Sequence, residues 1–380
     1  MEKNIFMTEK EIEEISTKEN KNGIPFKLKN EKRTITNNYN TLVISEDKEQ
    51  KNKMIEALIN NISNTKETII INSSNKTIYE KTKEKIEKQG YEIVEINIEN
   101  PKEGYNPLEL PLNLYKKGKI DDAIEQLNNI GYSIFYENTN LDPFWQNMAM
   151  NLFNGIILYL IEKQETIALK KINDTCNNIK KEDLNEKNKS YIYLSNIINA
   201  PSDTKGSIIT VFKQKLNNYI INETRNKMFE KTTFDINNLK NKAIFIITGM
   251  AEISESLVPI IIEQIFNLSR NNDEKINIIL DEIDSIKPIR NFNKMINISK
   301  NINYTIITKN YTTLKNTYEK NFEELKVNFK NTLYLYSEDF ETLKEISKMC
   351  ENIEIDFLKR IEEDKIILIT IRKKPMLLNI

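Results

Sequence analysis

The chain has 380 residues, enough for one large or two medium domains, and its 55 basic and 56 acidic residues give a net charge of −1. This balance provides no overall field that attracts nucleic acid, and the absence of histidine excludes the commonest metal ligand and the usual general base near neutral pH. The two cysteines, Cys176 and Cys350, are too far apart for a local metal site and favour reduced, buried thiols of a cytosolic protein.

Residues 1–40 are polar and charged, and we interpret them as an N-terminal arm in which Gly23 to Phe26 forms an edge strand or a docking arm. From Thr41 the chain alternates between short apolar segments and segments with helical spacing. The predicted strands are Thr41–Ser45, Glu67–Asn72 and Tyr91–Ile98, with helices over residues 49–62 and 77–90 between them. This spacing is typical of parallel strands joined by crossover helices.

Strand signals nearly disappear between residues 106 and 229, where the segments DDAIEQLNNIGYSIF, WQNMAMNLFNGIILYLIEK and KGSIITVFKQKLNNYII predict helices. In the second of these we expect Trp145 to lie in the core. The alternation then resumes, with predicted strands at residues 243–248, 276–281, 304–308 and 365–371, a further strand NTLYLYS, and one long helix YTTLKNTYEKNFEELK.

The simplest architecture is therefore an α/β domain with a mostly parallel sheet and helices on both faces, interrupted by an all-α domain. We assign residues 41–109 and 208–380 to the α/β domain and residues 110–207 to the insertion. The longest apolar runs fall short of the roughly 18 residues that a spanning helix needs, and the N-terminus has no signal-peptide core. We therefore predict a cytoplasmic protein without a transmembrane segment of its own.

The segment INIILDEIDSIKP, from Ile276 to Pro288, carries the first candidate chemistry. A buried strand delivers Asp281 and Glu282 to its C-terminal end, which is where parallel α/β sheets bind ligands. One carboxylate there can hold a hydrated Mg²⁺ ion, and its neighbour can orient an attacking water. The pattern by itself is not specific for such a site, because a buried strand that leads into a solvated acidic turn has the same sequence pattern.

A nucleotide site also needs the loop G-x-x-x-x-G-K-[ST] after the first strand, because its backbone N–H groups, lysine and hydroxyl bind the phosphates and the magnesium. After TLVI the sequence reads SEDKEQKN. Lys51 and Asn52 fall at the lysine and hydroxyl positions, whereas Ser45 and Gln50 replace the two glycines. An ordinary strand-to-helix turn with a solvated Lys51 is thus the alternative to a working phosphate site.

In their order and spacing these segments resemble the cytosolic part of a TraG-type coupling protein, the DNA-transfer ATPase of conjugative type IV secretion systems. The resemblance covers roughly residues 40 to 375. The matching stretches are TLVISEDKEQKN, GYEIVEINIENPKEGYNPLEL, DPFWQNMAMNLFNGIILYLIE, DTKGSIITVFKQKL, INNLKNKAIFII, NIILDEIDSIKPIRNFNKMINISKN and FKNTLYLYSEDFETLKEISKMC.

The resemblance implies a RecA-like P-loop NTPase fold with an inserted all-α domain. It also implies hexamers that bind ATP and Mg²⁺ between subunits and pass a relaxase-linked single strand of DNA to the secretion channel. By the same resemblance Asp281 is the Walker B carboxylate associated with magnesium, Glu282 is the catalytic residue that polarises water, and Lys51, with Asn52 beside it, contacts the phosphates.

Three departures from the family pattern bear on activity. The Walker A loop lacks its glycines and hydroxyl, the segment NSSN (Asn72 to Asn75) replaces Asp-Pro-Lys-Gly, and Lys309 replaces a glutamine that faces the γ-phosphate. The family's membrane-spanning N-terminal segment is also absent from this sequence. One interpretation is a TraG-like component with a degenerate site, weak or absent ATP binding, and little or no catalysis. The alternative is an active, ATP-dependent DNA-translocating coupling protein.

The partners that the resemblance implies are components of the type IV secretion channel or a relaxase, single-stranded DNA, and further copies of the same or a related chain. Such partners would recruit the protein to the inner face of the membrane. A decayed copy under no functional selection is a third interpretation, which the regular apolar spacing of the predicted elements argues against.

Overall fold

The computed structural model describes residues 5–19, 21–36, 39–137, 142–270 and 272–380. In this part of the chain eleven strands form one sheet, in the order β2-β1-β11-β10-β9-β3-β8-β7-β4-β6-β5. In chain order the strands are β1 (Ile24–Leu28), β2 (Glu31–Ile35), β3 (Thr41–Ser45), β4 (Thr68–Ser73), β5 (Glu92–Asn97), β6 (Lys242–Ile247), β7 (Ile276–Leu280), β8 (Ile302–Thr308), β9 (Asn331–Tyr336), β10 (Lys365–Thr370) and β11 (Met376–Asn379).

From β9 across to β5 all neighbouring strands are parallel, and the strands from β10 to β2 are antiparallel. The central parallel strands are almost entirely buried, as expected of a parallel sheet that is covered on both faces. The predicted strand boundaries agree with the structure to within about two residues. The segment Gly23 to Phe26 does contribute a strand, β1, but β2 forms the actual edge of the sheet.

The helices are α1 (Glu9–Ile15), α2 (Lys48–Ser63), α3 (Thr77–Lys88), α4 (Glu109–Lys116), α5 (Ile120–Phe135), α6 (Phe144–Glu162), α7 (Leu169–Thr175), α8 (Lys189–Ile198), α9 (Ser202–Ile220), α10 (Glu223–Met228), α11 (Ser254–Ser269), α12 (Phe292–Ile298), α13 (Tyr311–Tyr318), α14 (Phe322–Asn328), α15 (Phe340–Met349) and α16 (Ile355–Lys359).

Two apolar clusters cover the two faces of the sheet. On β3, Leu42 and Ile44 belong to one cluster with residues of α5, α6 and α11, whereas Val43 belongs to the other with residues of α2 and α3. Alternate residues of a strand point to opposite faces, so this division confirms helices on both sides. The fold class predicted from the sequence is therefore confirmed.

The chain between β5 and β6 forms only helices among the residues described, from α4 through α10. Helices α6 and α8 pack closely at a glycine, because a Cβ atom at Gly155 of α6 would lie 2.6 Å from Leu194 of α8. The division into domains remains a prediction, and its limit at residue 207 falls within α9.

Two detailed expectations are wrong. The single long helix predicted over YTTLKNTYEKNFEELK is two helices, because Glu319 adopts a positive φ of 38° and ends α13 before α14 begins. Trp145 does not lie in the core but is 37% exposed. It occupies the first turn of α6, ahead of the buried residues of that helix, and packs edge-on against Phe144 with 5.0 Å between ring centroids.

Cys176 and Cys350 are both buried free thiols, as expected. No helix in the described ranges is both long enough and apolar enough to cross a bilayer.

Candidate functional site

The candidate site lies where β3, β8 and β7, which are neighbours in the sheet, reach their C-terminal ends. Asp281 and Glu282 directly follow β7, and Lys51 lies in the first turns of α2, the helix that follows β3. The Lys51 Nζ atom is 2.9 Å from Asp281 Oδ1 and 2.8 Å from Glu282 Oε1. Lys51 and Asp281 therefore share the C-terminal edge of the sheet.

This ion-paired triad is largely withdrawn from water. The side chains of Lys51, Asp281 and Glu282 are 7%, 4% and 28% exposed. Burial raises the pKa of Asp281 to about 6, and Lys51 only partly offsets this rise. Burial acts to lower the pKa of Lys51, but the two carboxylates outweigh it and the pKa is raised. Lys51 therefore carries its positive charge at neutral pH, and that charge is committed to partners inside the protein.

The backbone at Glu282 is strained. Its φ and ψ are both 52°, the left-handed region that non-glycine residues seldom occupy. Two bonds from Ser285 hold this conformation, because its backbone N–H and its hydroxyl donate to the Glu282 carbonyl at 2.8 and 2.7 Å. Strain of this kind costs on the order of 1–3 kcal/mol and is concentrated at functional or switch positions. Here it directs the carboxylate towards Lys51.

Asn72, at the end of β4, adds a further contact to this edge. Its Nδ2 atom donates to the backbone carbonyl of Asp281 at 2.8 Å, and the residue is buried. From the sequence, Asn72 was only the first residue of the segment that replaces Asp-Pro-Lys-Gly. The structure shows that it fixes the main chain at the acidic pair.

The turn between β3 and α2 is tighter than a phosphate-binding loop. The strand ends at Ser45 and the helix begins at Lys48, so part of the segment that forms the loop in a P-loop protein is helical here. Asp47 is the N-cap, and its Oδ1 atom accepts from the backbone N–H of Gln50 at 2.8 Å. The carboxylate thus takes a helix N-terminal donor of the kind that P-loops offer to phosphate oxygens.

Glu46 fills the space in front of the same turn. One of its carboxylate oxygens accepts from Asn310 Nδ2 at 2.6 Å, and the other accepts from the backbone N–H of Glu338 at 2.7 Å. These partners come from the turns after β8 and β9, so one carboxylate links three neighbouring strand ends. The sequence gives no sign of these bonds, because the partners of Glu46 are distant along the chain.

The other two candidate residues lie nearby. Asn52 is half-buried on α2, immediately after Lys51, and Lys309 is an exposed residue directly after β8. Burial opposes the ionisation of Glu282, but Lys51 and, at longer range, Lys309 lower its pKa. Lys309 therefore lies close enough to Glu282 for its charge to act on this carboxylate.

The chemistry available to the triad follows from these contacts. Asp281 and Glu282 already share a cation, the ammonium of Lys51, at the position where a magnesium ion would need them. In the described part of the chain no three acidic, cysteine or histidine side chains gather as a metal site would require. The arrangement neutralises its own charges and presents neither a free lysine nor a free carboxylate pair.

The sheet order, the two helical layers and the strand-end residues define a protein with the RecA-like P-loop NTPase fold. The family model for type IV secretory system conjugative DNA transfer matches residues 53–362, and the chain belongs to this family. The resemblance to TraG-type coupling proteins is thereby confirmed. No curated protein matches the sequence.

Solved structures agree with this fold. The unbound bacterial conjugative coupling protein TrwB is similar with a TM-score of 0.73 and 9% identity, over 99% of this chain and 92% of that chain. TrwB with a non-hydrolysable ATP analogue is similar with a TM-score of 0.69 and 10% identity, over 90% of this chain and 84% of that chain. VirB4 of Thermoanaerobacter pseudethanolicus is similar with a TM-score of 0.62 and 13% identity, over 94% of this chain and 96% of that chain. At such identities the likeness extends to the fold.

Proposed function

We propose that this chain serves conjugative DNA transfer through a type IV secretion system as a non-catalytic or weakly active homologue of the coupling protein. One observation carries the proposal. The ammonium of Lys51 is bound at 2.9 and 2.8 Å to both carboxylates of the acidic pair. The cation that would neutralise the phosphates and the carboxylates that would hold magnesium and water are therefore engaged with one another.

The residues present do not fit ATP and Mg²⁺ well. TrwB has been solved with ADP and Mg²⁺ and with non-hydrolysable ATP and GTP analogues. In this chain Asp47 occupies a backbone donor at the start of α2, and Asn52 lacks the hydroxyl that ligates magnesium. A triphosphate would also meet the Glu46 carboxylate. Nucleotide binding therefore requires that internal bonds break first, and we assign no catalytic step to the site.

The energetic consequence is large. Removing one well-placed donor from a site that stabilises transition-state charge costs about 2.7–4 kcal/mol. This chain lacks both glycines and the hydroxyl of the phosphate loop, so turnover should be lower by several orders of magnitude. Affinity for ATP should be weaker than about 1 mM, or a binding free energy of about −4 kcal/mol.

A fold without turnover still offers surfaces to other components. We propose that the chain binds a complete coupling protein, a relaxase or a component of the secretion channel, on the cytoplasmic side of the membrane. Single-stranded DNA and further copies of the chain are additional candidates. Family membership supports these partners.

Two measurements test the proposal. Calorimetry with ATP and Mg²⁺ should give affinity no better than millimolar, and the isolated chain should show no steady-state ATPase above background, with or without single-stranded DNA. Glu282→Gln is the matched control. Hydrolysis at roughly 1 s⁻¹ or faster, the range of ordinary enzymes, that Glu282→Gln abolishes would show that the motor interpretation is right.

The motor interpretation has one supporting observation, which is that Lys51, Asp281 and Glu282 converge on one edge of the sheet. A gain-of-function variant separates the two interpretations. Ser45→Gly, Asp47→Gly, Gln50→Gly and Asn52→Thr together restore the loop pattern and remove the capping carboxylate. We expect this variant to bind ATP at least tenfold more tightly than the natural chain. Equal affinities would mean that the natural loop is not the limiting feature.

A further inference from the structure

A second polar region lies away from the nucleotide position. A cavity of about 410 Å³ opens between the β1–β2 hairpin, the outer flank of α2 and the end of α3. Six basic side chains line it, namely those of Lys18, Lys27, Lys32, Arg33, Lys53 and Lys85. Among the lining residues only Glu19 and Glu56 have acidic side chains, although the chain as a whole carries a charge of −1. The cavity is therefore locally positive.

Not all of this charge is neutralised by the protein itself. Carboxylates pair with Lys18, Arg33 and Lys53, at 2.6, 3.8 and 3.2 Å. Lys32 and Lys85 are exposed and form no ion pair within the ranges that the structure covers. These two lysines are the charges that an incoming anion can use, because exposed ammonium groups need not break a buried bond in order to bind.

The cavity also has an apolar part. Pro25 and Ala57 are half-buried and line it, whereas Phe26 is only 3% exposed and is already covered by the protein. A ligand of inorganic anions alone would leave this surface uncovered. An occupant with both acidic and apolar side chains would cover it while its carboxylates met the lysines.

The edge of the sheet borders the cavity at β2. The hairpin turn consists of Lys29 and Asn30, both with positive φ (50° and 65°), as in a type I′ turn. Antiparallel pairs alternate between hydrogen-bonded and non-hydrogen-bonded, so every second residue of β2 points its backbone groups away from β1. Thr34 is one of these, because its N–H and C=O bond to Thr17 at 2.8 and 3.0 Å.

The same alternation fixes the direction of Lys32, two residues from Thr34. Its N–H and C=O point outwards, and no strand pairs with it on that side within the described ranges. An open strand edge of this kind can accept an extended segment from another chain. Lys32 thus combines three features: its backbone groups lie at the open strand edge, its side chain is charged, and it lines the cavity.

We propose that this cavity docks an extended acidic segment of a partner protein, which pairs with β2 at Lys32 and places carboxylates against Lys32 and Lys85. Apolar side chains of the segment cover Pro25 and Ala57. The hairpin lies outside the residues that the family model matches, 53–362, whereas the walls from α2 and α3 lie within them. The proposal is independent of whether nucleotide binds at the site that contains Lys51, Asp281 and Glu282.

The first test uses a fluorescent ten-residue peptide of alternating valine and glutamate, with binding followed by anisotropy. We expect saturable binding that the matching valine–lysine peptide does not show. Lys32→Glu with Lys85→Glu should weaken the affinity at least tenfold. The control, Lys344→Glu with Lys348→Glu on α15, makes the same change of charge on exposed residues outside the cavity and should leave binding unaltered.

A second pair of variants tests the strand edge. Lys32→Ala removes the charge and keeps the N–H, whereas Lys32→Pro also removes the outward N–H. Because that N–H does not bond to β1, proline at this edge position should leave the ladder intact. We expect Lys32→Pro to bind the peptide at least threefold more weakly than Lys32→Ala, at equal thermal stability. Equal binding by the two variants would overturn the strand-pairing part of the proposal.

Two further probes separate the acidic peptide from other anions. An oligothymidine and vesicles that contain phosphatidylglycerol are each titrated with the natural chain and with the charge-reversed double variant. Absence of peptide binding, or peptide binding that is insensitive to Lys32 and Lys85, would overturn the proposal. So would cavity-dependent binding of the oligonucleotide or the vesicles in place of the peptide.

Discussion

Helix α2 borders two polar regions of opposite character. At its N-terminal end Lys51 is buried and bound to two carboxylates, and Asp47 caps the helix. Along its outer flank, in the hairpin cavity, lysines remain exposed. The same residue type is thus withdrawn from ligands in the triad and available to them in the cavity. The identity of a lysine does not decide its role; the partners that the fold supplies do.

Physical chemistry explains why the buried triad and the exposed cavity lysines should behave differently. A buried ion pair gains little overall stability, but loss of one partner leaves an uncompensated charge away from water. An exposed charge is hydrated and screened, so its loss is nearly free. The comparison can therefore be tested with matched substitutions.

The largest effect is expected from Lys51→Met. It leaves the buried Asp281 without its cation, so we expect the free energy of unfolding at pH 7.5 to fall by about 3–5 kcal/mol in urea titrations. Lys51→Met combined with Asp281→Leu should recover most of this loss, because the two most buried charges then disappear and the remaining carboxylate, Glu282, is 28% exposed. Lys53→Met, in the same helix but half-exposed, is the control and should change stability by less than about 0.5 kcal/mol. A loss below about 1 kcal/mol for Lys51→Met would mean that the triad is not a buried pair.

Glu263, on α11, shows how a buried carboxylate behaves when it forms no ion pair among the described residues. It is 2% exposed and accepts from the backbone N–H of Arg290 at 3.0 Å. Burial raises its pKa to about 8, against which the Arg290 bond and charge act only partly. The folded state therefore holds this proton more tightly than the unfolded chain does.

The sign of the pH dependence follows from that difference. The contribution of Glu263 to stability is fully present below its ordinary pKa of 4.5 and is lost as pH rises through about 8. Glu263→Gln cannot ionise, so its stability relative to the natural chain should rise between pH 5 and pH 9 by on the order of a few kcal/mol. Thermal melts of both chains across this range measure the difference. A constant difference would show that Glu263 titrates normally.

Asp47→Ala should have a smaller effect. Loss of an N-cap side chain costs about 0.5–2 kcal/mol, because a helix N–H group, here that of Gln50, loses its acceptor. Asp47→Asn keeps an acceptor and should cost less than half as much. If Asp47→Ala instead raised stability in the presence of phosphate, the helix end would be an anion site that the carboxylate had been blocking.

Much of the parallel sheet could be predicted from the sequence because most of its strands are rich in isoleucine, leucine and valine. The strand predicted at Ile276–Asp281, for example, is observed at Ile276–Leu280. The outer strand β2 was missed, since Glu31–Ile35 begins with charged, exposed residues and shows no alternation. Helix α1 was missed too, although Thr8 and Glu11 form a capping box that the sequence displays.

The position of the site could be predicted from the sequence, but the pairing of its charged residues with one another could not. Topology alone places Lys51 and Asp281 at one edge, because the C-terminal ends of parallel strands meet there. No local pattern shows that their charges are already paired, or that Glu46 reaches Asn310 and Glu338 across the neighbouring turns. These contacts depend on side-chain burial and long-range packing. Only the assembled sheet reveals them.

The smallest effect is expected in the hairpin cavity. Lys32→Ala and Lys85→Ala remove exposed ammonium groups that form no ion pair within the described ranges, so each should change the free energy of unfolding by less than about 0.5 kcal/mol. Urea titrations beside Lys51→Met provide the direct contrast within one protein. A loss of 2 kcal/mol or more at either position would mean that these lysines hold the hairpin against α2 and α3. The cavity would then be a structural joint, and the distinction between the buried triad and the exposed cavity lysines would no longer hold.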